Sequence, residues 1–335
     1  MTAALPEIEQ TEAQLESRPS RVPGLAALRA TAGFQRGMLA AGALIVLFFI
    51  VVAAFAPLIA PYGFNADRSG GVDFVPQQAP SAQHWFGTTV GGEDVLSRVV
   101  FGARTALEVI ILAVLLSIVI GVPSGLISGY RGGWIDRVLV LVTDALFAFP
   151  PLLLAIIISI TVASGQSTKT GGILSAAIAI TVVYVPQYFR VVRNATVAAR
   201  EEPYVEAARA LGAPARVVMT RYIFGNVVQT VPVIATLNAG DAILTLAGLG
   251  FLGFGIEPSS AAEWGYDLSK AVSDTSAGIW WSGTFPGLAI VLIVVGVTLV
   301  GESLNDVLNP LLRTTKLAAV VLPKRIGSLS HEDAP

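Results

Sequence analysis

Cysteine is absent, which excludes disulfides, thiolate metal sites and cysteine nucleophiles. Two histidines, His84 and His331, leave little from which to build a histidine metal site. Charge is scarce as well. Asp, Glu, Lys and Arg make up 13% of the 335 residues, about half the share of an ordinary soluble domain. The formal net charge is −2, and no basic stretch is interleaved with aromatics, so a nucleic-acid partner is not expected. A phosphate cradle is missing too: Gly165-Gln166-Ser167-Thr168-Lys169-Thr170 has the Lys-Thr pair without the glycine before it. Nucleophile-elbow and His-Glu-x-x-His patterns are likewise missing.

What the chain does have is apolar length. Hydrophobic residues make up 54% of it and the mean hydropathy is +0.71, values that belong in a bilayer. Six runs are expected to cross: 37–59, 105–127, 138–162, 173–189, 227–250 and 284–300, each near the roughly 17–25 residues that span hydrocarbon. Pro150-Pro151 is expected to bend the third and Pro186 the fourth. Residues 249–256 read as a glycine-rich continuation of the fifth, and 61–102 and 257–282 as the two larger external loops. The organisation expected is a disordered cytoplasmic tail (1–36), a first span with its external loop (37–101), a five-helix core (102–305) and a cytoplasmic C-terminal tail (306–335). Of the 21 Lys and Arg residues, sixteen fall on the side of the two termini and five on the other. The positive-inside bias then puts both ends in the cytoplasm.

A charged island, 200–226, separates the fourth and fifth spans. Pro203 suits a first helical turn, because its missing N–H would be unpaired there anyway, and Gly212 can take the left-handed conformation that ends a helix. Between them Tyr204, Ala207, Ala208 and Leu211 share one side, while Glu202, Glu206 and Arg209 project elsewhere. So short a helix is marginal alone in water and must dock against something.

The run Tyr204-Val205-Glu206-Ala207-Ala208-Arg209-Ala210-Leu211-Gly212 resembles the "EAA…G" cytoplasmic loop of permease subunits from ATP-binding-cassette importers. Phe224-Gly225 stands where that pattern usually has Leu-Pro before its Asn, here Asn226. A second stretch, from His84-Trp85-Phe86-Gly87-Thr88 to Asp94-Val95-Leu96-Ser97-Arg98, is similar to a segment of the dipeptide and oligopeptide permease group, with Thr89 and Glu93 in place of its Asp and Arg. Glu263-Trp264-Gly265 looks like the W-G element of the same group.

The resemblance covers roughly 37–313 and implies an all-α polytopic membrane protein with six transmembrane helices in the type I ABC importer permease fold. It implies a transport subunit and not an enzyme. Its partners would be a second homologous permease, two ABC ATPase subunits, an extracellular or periplasmic substrate-binding protein, the lipid bilayer and a di- or oligopeptide substrate, in a bacterial inner membrane. No cofactor is expected on this chain, with Mg-ATP held by the partner ATPases.

Tyr204, Glu206, Ala207, Ala208, Arg209, Leu211 and Gly212 are then the candidate ATPase-coupling residues. The bland reading of the same helix is one lying on lipid headgroups. Asp144 and Asp241 sit within spans, where exposure to lipid is costly, so both are expected to face the bundle interior or a water-filled path. They either line a peptide route or bond to neighbouring helices. Asp94, Arg98 and Trp264 are candidates for an external gate or binding-protein contact, against the reading that their segments simply cover the bundle's outer ends. From another class, the rival is a proton-driven secondary transporter or channel working through Asp144 and Asp241 without an ATPase.

Overall fold

A computed structural model describes residues 33–163 and 169–308. The expected tails lie outside these residues, apart from 33–36 and 306–308, as does most of the loop between the third and fourth spans.

Helix α1 (Gly33–Ala54) is followed at once by the single turn α2 (Ala56–Ile59). The break falls at Phe55, because Pro57 in the first turn of α2 cannot donate back into α1. The chain then crosses the end of the bundle. Gly70 and Gly71, both with positive φ, turn a two-residue hairpin of β1 (Arg68–Ser69) and β2 (Val72–Asp73).

Helix α3 (Val95–Arg131) runs for 37 residues, about 55 Å at 1.5 Å per residue, well beyond hydrocarbon thickness. It therefore takes in the end of the expected loop 61–102. Its left-handed exit through Gly132 and Gly133 leads straight into α4 (Gly133–Phe147). α5 (Pro151–Ala163) follows α4 at an angle of 98°. The third span, expected as one bent helix, is thus two helices at a right angle. Two consecutive prolines remove two N–H donors and force the residue before them out of helical geometry.

Helix α6 (Lys169–Arg200) runs through Pro186 without a break and carries Arg190, Arg193 and Arg200 as helical residues, eleven positions past the expected end of the fourth span. After α7 (Pro203–Ala210) the chain re-enters through α8 (Ala215–Val217), a π-helical turn at Val218–Ile223, α9 (Phe224–Val227), a 3₁₀ turn at Val228–Thr230 and α10 (Val231–Phe251). Ala215–Phe251 forms one 37-residue candidate span. It ends at Leu252 and the left-handed Gly253, so 252–256 turn away and do not continue it. Half of the expected loop 257–282 is helix α11 (Trp264–Ser276), and α12 (Trp281–Leu308) closes the fold. Among the described residues five helices are long and apolar enough to cross a membrane, and six spans result if α4 and α5 are one broken span.

The bundle is centred on α3 against α6, with α12 packed on α1 and α10. Gly121, Gly125 and Gly129 recur every four residues along one edge of α3. A Cβ on these would stand 2.6 Å from Tyr188 Cβ, 2.7 Å from the Phe189 carbonyl and 2.7 Å from the Arg193 carbonyl, respectively. The small stripe lets two backbones touch, which drives helix association where lipid removes the hydrophobic force. Gly42 on α1 and Gly296 on α12 repeat the device, with each Cβ meeting the other helix at 2.7 Å. Gly125→Val is expected to cost about 1–3 kcal/mol by overpacking and to lower the thermal midpoint of the detergent-solubilised protein. Gly37→Ala, in open space on α1, should not lower that midpoint and should raise it slightly, since alanine is favoured over glycine in a helix by up to about 1 kcal/mol.

Candidate functional site

The charged island forms the short helix its prolines and glycines predict. Glu202 enters extended, Pro203 opens α7, and Leu211 and Gly212 close it, the glycine at φ 82°. The Ala213 N–H donates to the Ala208 carbonyl at 3.0 Å and the Gly212 N–H to the Arg209 carbonyl at 2.9 Å. These are the two bonds of a Schellman cap, which needs a left-handed residue at the position Gly212 holds.

The helix turns differently from the expectation. Val205 and Ala208 are buried, against the π-helical turn and α6, whereas Tyr204, Ala207 and Leu211 face outward with Glu206 and Arg209. Ala208 belongs to the inner face because Val205, three residues earlier, completes an apolar seam with it. Leu211 is 89% exposed, a large apolar side chain standing out at the turn.

Side chains of two helices, α9 and α3, hold α7 in place. Asn226 Nδ2 donates to the Tyr204 hydroxyl at 2.6 Å, and the Arg209 guanidinium stands 5.1 Å from the Tyr130 ring at the end of α3. Beside them Arg193 donates to both oxygens of Asp136 at 2.6 and 2.7 Å, Ser128 donates to the same carboxylate, and Arg200 reaches the Gly129 carbonyl at 3.0 Å. Sequence reasoning missed Val205, Asp136 and Arg193. The signal for the last was an arginine inside an apolar helix, which requires an acid partner.

Asp144 on α4 pairs with Arg190 on α6 at 2.7 Å, and that guanidinium also covers the Phe147 ring at 4.0 Å. The acid is thus bonded to a neighbouring helix. Asp241 lies on an exposed face of α10, one turn before Thr245, whose hydroxyl meets that of Tyr184 at 3.0 Å.

At the opposite end of the bundle, the segment 60–94 and α11 form a cap. Asp94 is the N-cap of α3: one carboxylate oxygen accepts from the Ser97 N–H at 2.8 Å and its hydroxyl at 2.7 Å, the other meets His84 Nδ1 at 2.9 Å. Serine, acid and histidine are all buried here, yet the hydroxyl bonds to the carboxylate and not to the imidazole, so they do not form a serine–histidine–acid triad. Arg98 reaches across to Asp267 on α11 at 2.6 Å, and the Trp264 indole donates to the Val99 carbonyl at 3.0 Å over Gly102, where a Cβ would stand 2.4 Å from the ring. Asp94, Arg98 and Trp264 are 1%, 2% and 3% exposed, so the packed interior of the cap is where all three side chains lie. Among the described residues no three or more His, Asp or Glu side chains gather as a metal site.

Glu263 caps α11, accepting from the Gly265 and Tyr266 N–H groups at 2.9 and 2.8 Å. Its carboxyl is pressed against α10 at Gly250, while Gly265 lets α11 meet the Ala247 backbone. Burial raises its pKa to about 8, against the lowering effect of the two backbone donors and Arg98 and with a further upward push from Asp267.

A protein-family model described as "binding-protein-dependent transport system inner membrane component" matches residues 121–314. The dipeptide transport system permease protein DppC of Alkalihalophilus pseudofirmus is 38% identical over 276 residues, covering 82% of this chain and 86% of the relative. Glutathione transport system permease proteins GsiD are 35% identical in Pectobacterium atrosepticum, over 84% of this chain and 89% of the relative, and 37% identical in Escherichia coli O157:H7, over 82% and 87%. This chain belongs to the family of binding-protein-dependent membrane permeases. It is a multi-pass membrane protein with a type I ABC permease domain, and a transport subunit.

The raised pKa of Glu263 carries a sign. The folded protein binds a proton that the unfolded chain has already released above about pH 4.5, so this group's stabilisation is complete below that and is lost as pH rises through about 8. Glu263→Gln should flatten the fall in thermal midpoint between pH 5 and 8. A wild-type midpoint with the same pH profile as the variant would show that Glu263 does not titrate in this range.

Proposed function

We propose that this chain forms, with a second homologous permease, the membrane pathway of an ATP-driven importer of di- or oligopeptides, and that α7 couples it to the ATPases. The observation carrying this reading is α7 itself: a Schellman-capped helix anchored by Val205 and Ala208, with Tyr204, Glu206, Ala207, Arg209 and Leu211 left outward. Small and apolar residues on that face let a partner's groove approach the backbone closely. Glu206 offers a carboxylate to a basic group of that groove, and Gly212 sets the angle at which the helix leaves for the next span.

Mechanically, force on α7 passes to α3 through Arg209 and Tyr130 and to the fifth span through Tyr204 and Asn226. Two ATPase subunits holding Mg-ATP would supply that force, and this chain would need no cofactor. The end carrying α7, with both termini, would face the cytoplasm of a bacterium across its inner membrane, in keeping with the sixteen-to-five distribution of basic residues. The cap would then meet an extracellular or periplasmic binding protein, with buried Asp94, Arg98 and Trp264 keeping its shape. Peptides as the substrate class rest on the dipeptide and glutathione systems to which the named relatives belong.

Asp241 is assigned to the pathway wall on the ground of its exposed position on α10. Asp144 is spent on Arg190, which weighs against a proton relay through both acids. Co-purification separates the readings: an importer subunit travels with a sister permease and ATPases, whereas a secondary transporter works alone in liposomes.

In the reconstituted complex, Glu206→Lys or Gly212→Asp should lower uptake about tenfold or more while ATP hydrolysis continues, a loss in the usual range of coupling free energies. Wild-type uptake in both variants would remove α7 from the coupling role. Asp241→Asn should weaken uptake with assembly intact, and unchanged uptake at normal expression would take Asp241 out of the pathway.

A further inference from the structure

Helix α11 turns two acids, Asp267 and Asp274, to the buried side of the cap, seven residues or about 10 Å apart along the axis. Each uses one oxygen. Asp267 Oδ1 accepts from Arg98 Nε at 2.7 Å and stands 2.6 Å from Nη2 of the same guanidinium as an ion pair, and Asp274 Oδ1 accepts from Gln77 Nε2 at 2.7 Å. Arg98 Nη2 makes no hydrogen bond, its charge being met by the ion pair with Asp267 Oδ1, and the second oxygen of each carboxylate and the hydroxyl of Ser282 at the start of α12 are buried without a hydrogen-bond partner among the described residues. All three residues are more than nine-tenths buried, and they line the same cavity of about 100 Å³. Buried polar atoms left unpaired are costly and rare, so three around one small space call for a ligand.

The chemistry of that ligand follows from the wall. Carboxylate oxygens only accept, so the occupant must bring donors, and two acids favour a cation. A metal ion fits poorly, because no three acid or histidine ligands converge among the described residues and the Arg98 guanidinium forms part of the lining. A whole peptide does not fit either, since small-molecule pockets run to roughly 300–1,000 Å³. The head of one lysine or arginine side chain does fit. An ammonium has three N–H donors and a guanidinium five.

The other charged groups leave room for it. Arg98 is taken by Asp267, Thr89 donates to Glu93, and Lys270 stands at the rim, exposed, with its Nζ 5.3 Å from the Tyr266 ring. Val90, 45% exposed, also borders the opening. We propose that this cavity is the socket on the cap into which a basic side chain of the substrate-binding protein inserts when it docks. The family description names a binding protein as a requirement of transport, and the socket lies at the end of the bundle remote from α7. The inference rests on the importer reading above.

The test uses the full transporter with its sister permease and ATPases in nanodiscs, titrated with the purified binding protein. Asp274→Asn keeps the Oδ1 that Gln77 reaches and removes the charge. It should weaken binding about tenfold or more, as loss of one partner of a buried charge pair does, while hydrolysis measured without binding protein stays as in the wild type. Because the chain contains no cysteine, Val90→Cys gives a single attachment point on the otherwise unaltered cap. Carrying a short maleimide–succinimide linker, it should cross-link to one lysine of the binding protein, or, where the inserted residue is arginine, to a lysine beside it. Wild-type affinity in a folded Asp274→Asn transporter, meaning that water or Lys270 fills the cavity, overturns the socket. So does absence of a cross-link from Val90→Cys when binding is intact. A wild-type complex that binds no binding protein at all strikes the importer reading itself, and the socket falls with it.

Discussion

The close approach of α3 to α6 is the constraint on which the rest depends. Three glycines at four-residue spacing bring backbone against backbone, and the two longest uninterrupted apolar helices become one rigid element. In a bilayer such contact supplies the dispersion and packing energy that the hydrophobic effect supplies in water. Because α3, at about 55 Å, is longer than the hydrocarbon core is thick, its rigidity reaches beyond the span. Asp94, Arg98 and Gly102 at one end organise the cap, and Gly129 and Tyr130 at the other meet the arginines around α7.

The two ends are built from different chemistry. The cap is tightly packed and heavily bonded: a buried Arg98–Asp267 pair, an indole donating to a carbonyl, and a capping glutamate held against glycine. Buried charge pairs add little net stability, but removing one partner is costly, so they hold a single arrangement. The end bearing α7 is more exposed and less regular. Its ion pairs are partly exposed, and the helix beyond α7 passes through π and 3₁₀ turns before it becomes regular. Such irregular turns are common where a helix has a functional hinge. A tightly packed cap and a less regular base suit a subunit that takes up force at one end and keeps its shape at the other.

The right-angle joint between α4 and α5 adds a third element. Arg190 secures it by pairing with Asp144 and covering Phe147, both on α4. The exposed apolar residues of α5, Leu153, Ile157 and Ile160, leave that helix a broad face for lipid or a neighbouring subunit.

Much of this was legible in the residues alone. Apolar run length set the number of spans, and Pro203 with Gly212 set the ends of α7, because proline and glycine act through their own φ and N–H and need no distant partner. The family resemblance rested on similarly local patterns. The rest was decided by contacts between residues far apart in sequence. Which side of α7 faces inward depended on Val205 meeting the π-helical turn, and the fate of Arg98 on an aspartate 169 positions away. Pro186 was absorbed into a continuous helix, whereas Pro150-Pro151 made a right-angle break, a difference of degree that proline content alone does not determine. Local backbone chemistry tells where a helix starts and stops. Only packing, which sums many long-range contacts at once, tells how far it extends and which way it faces.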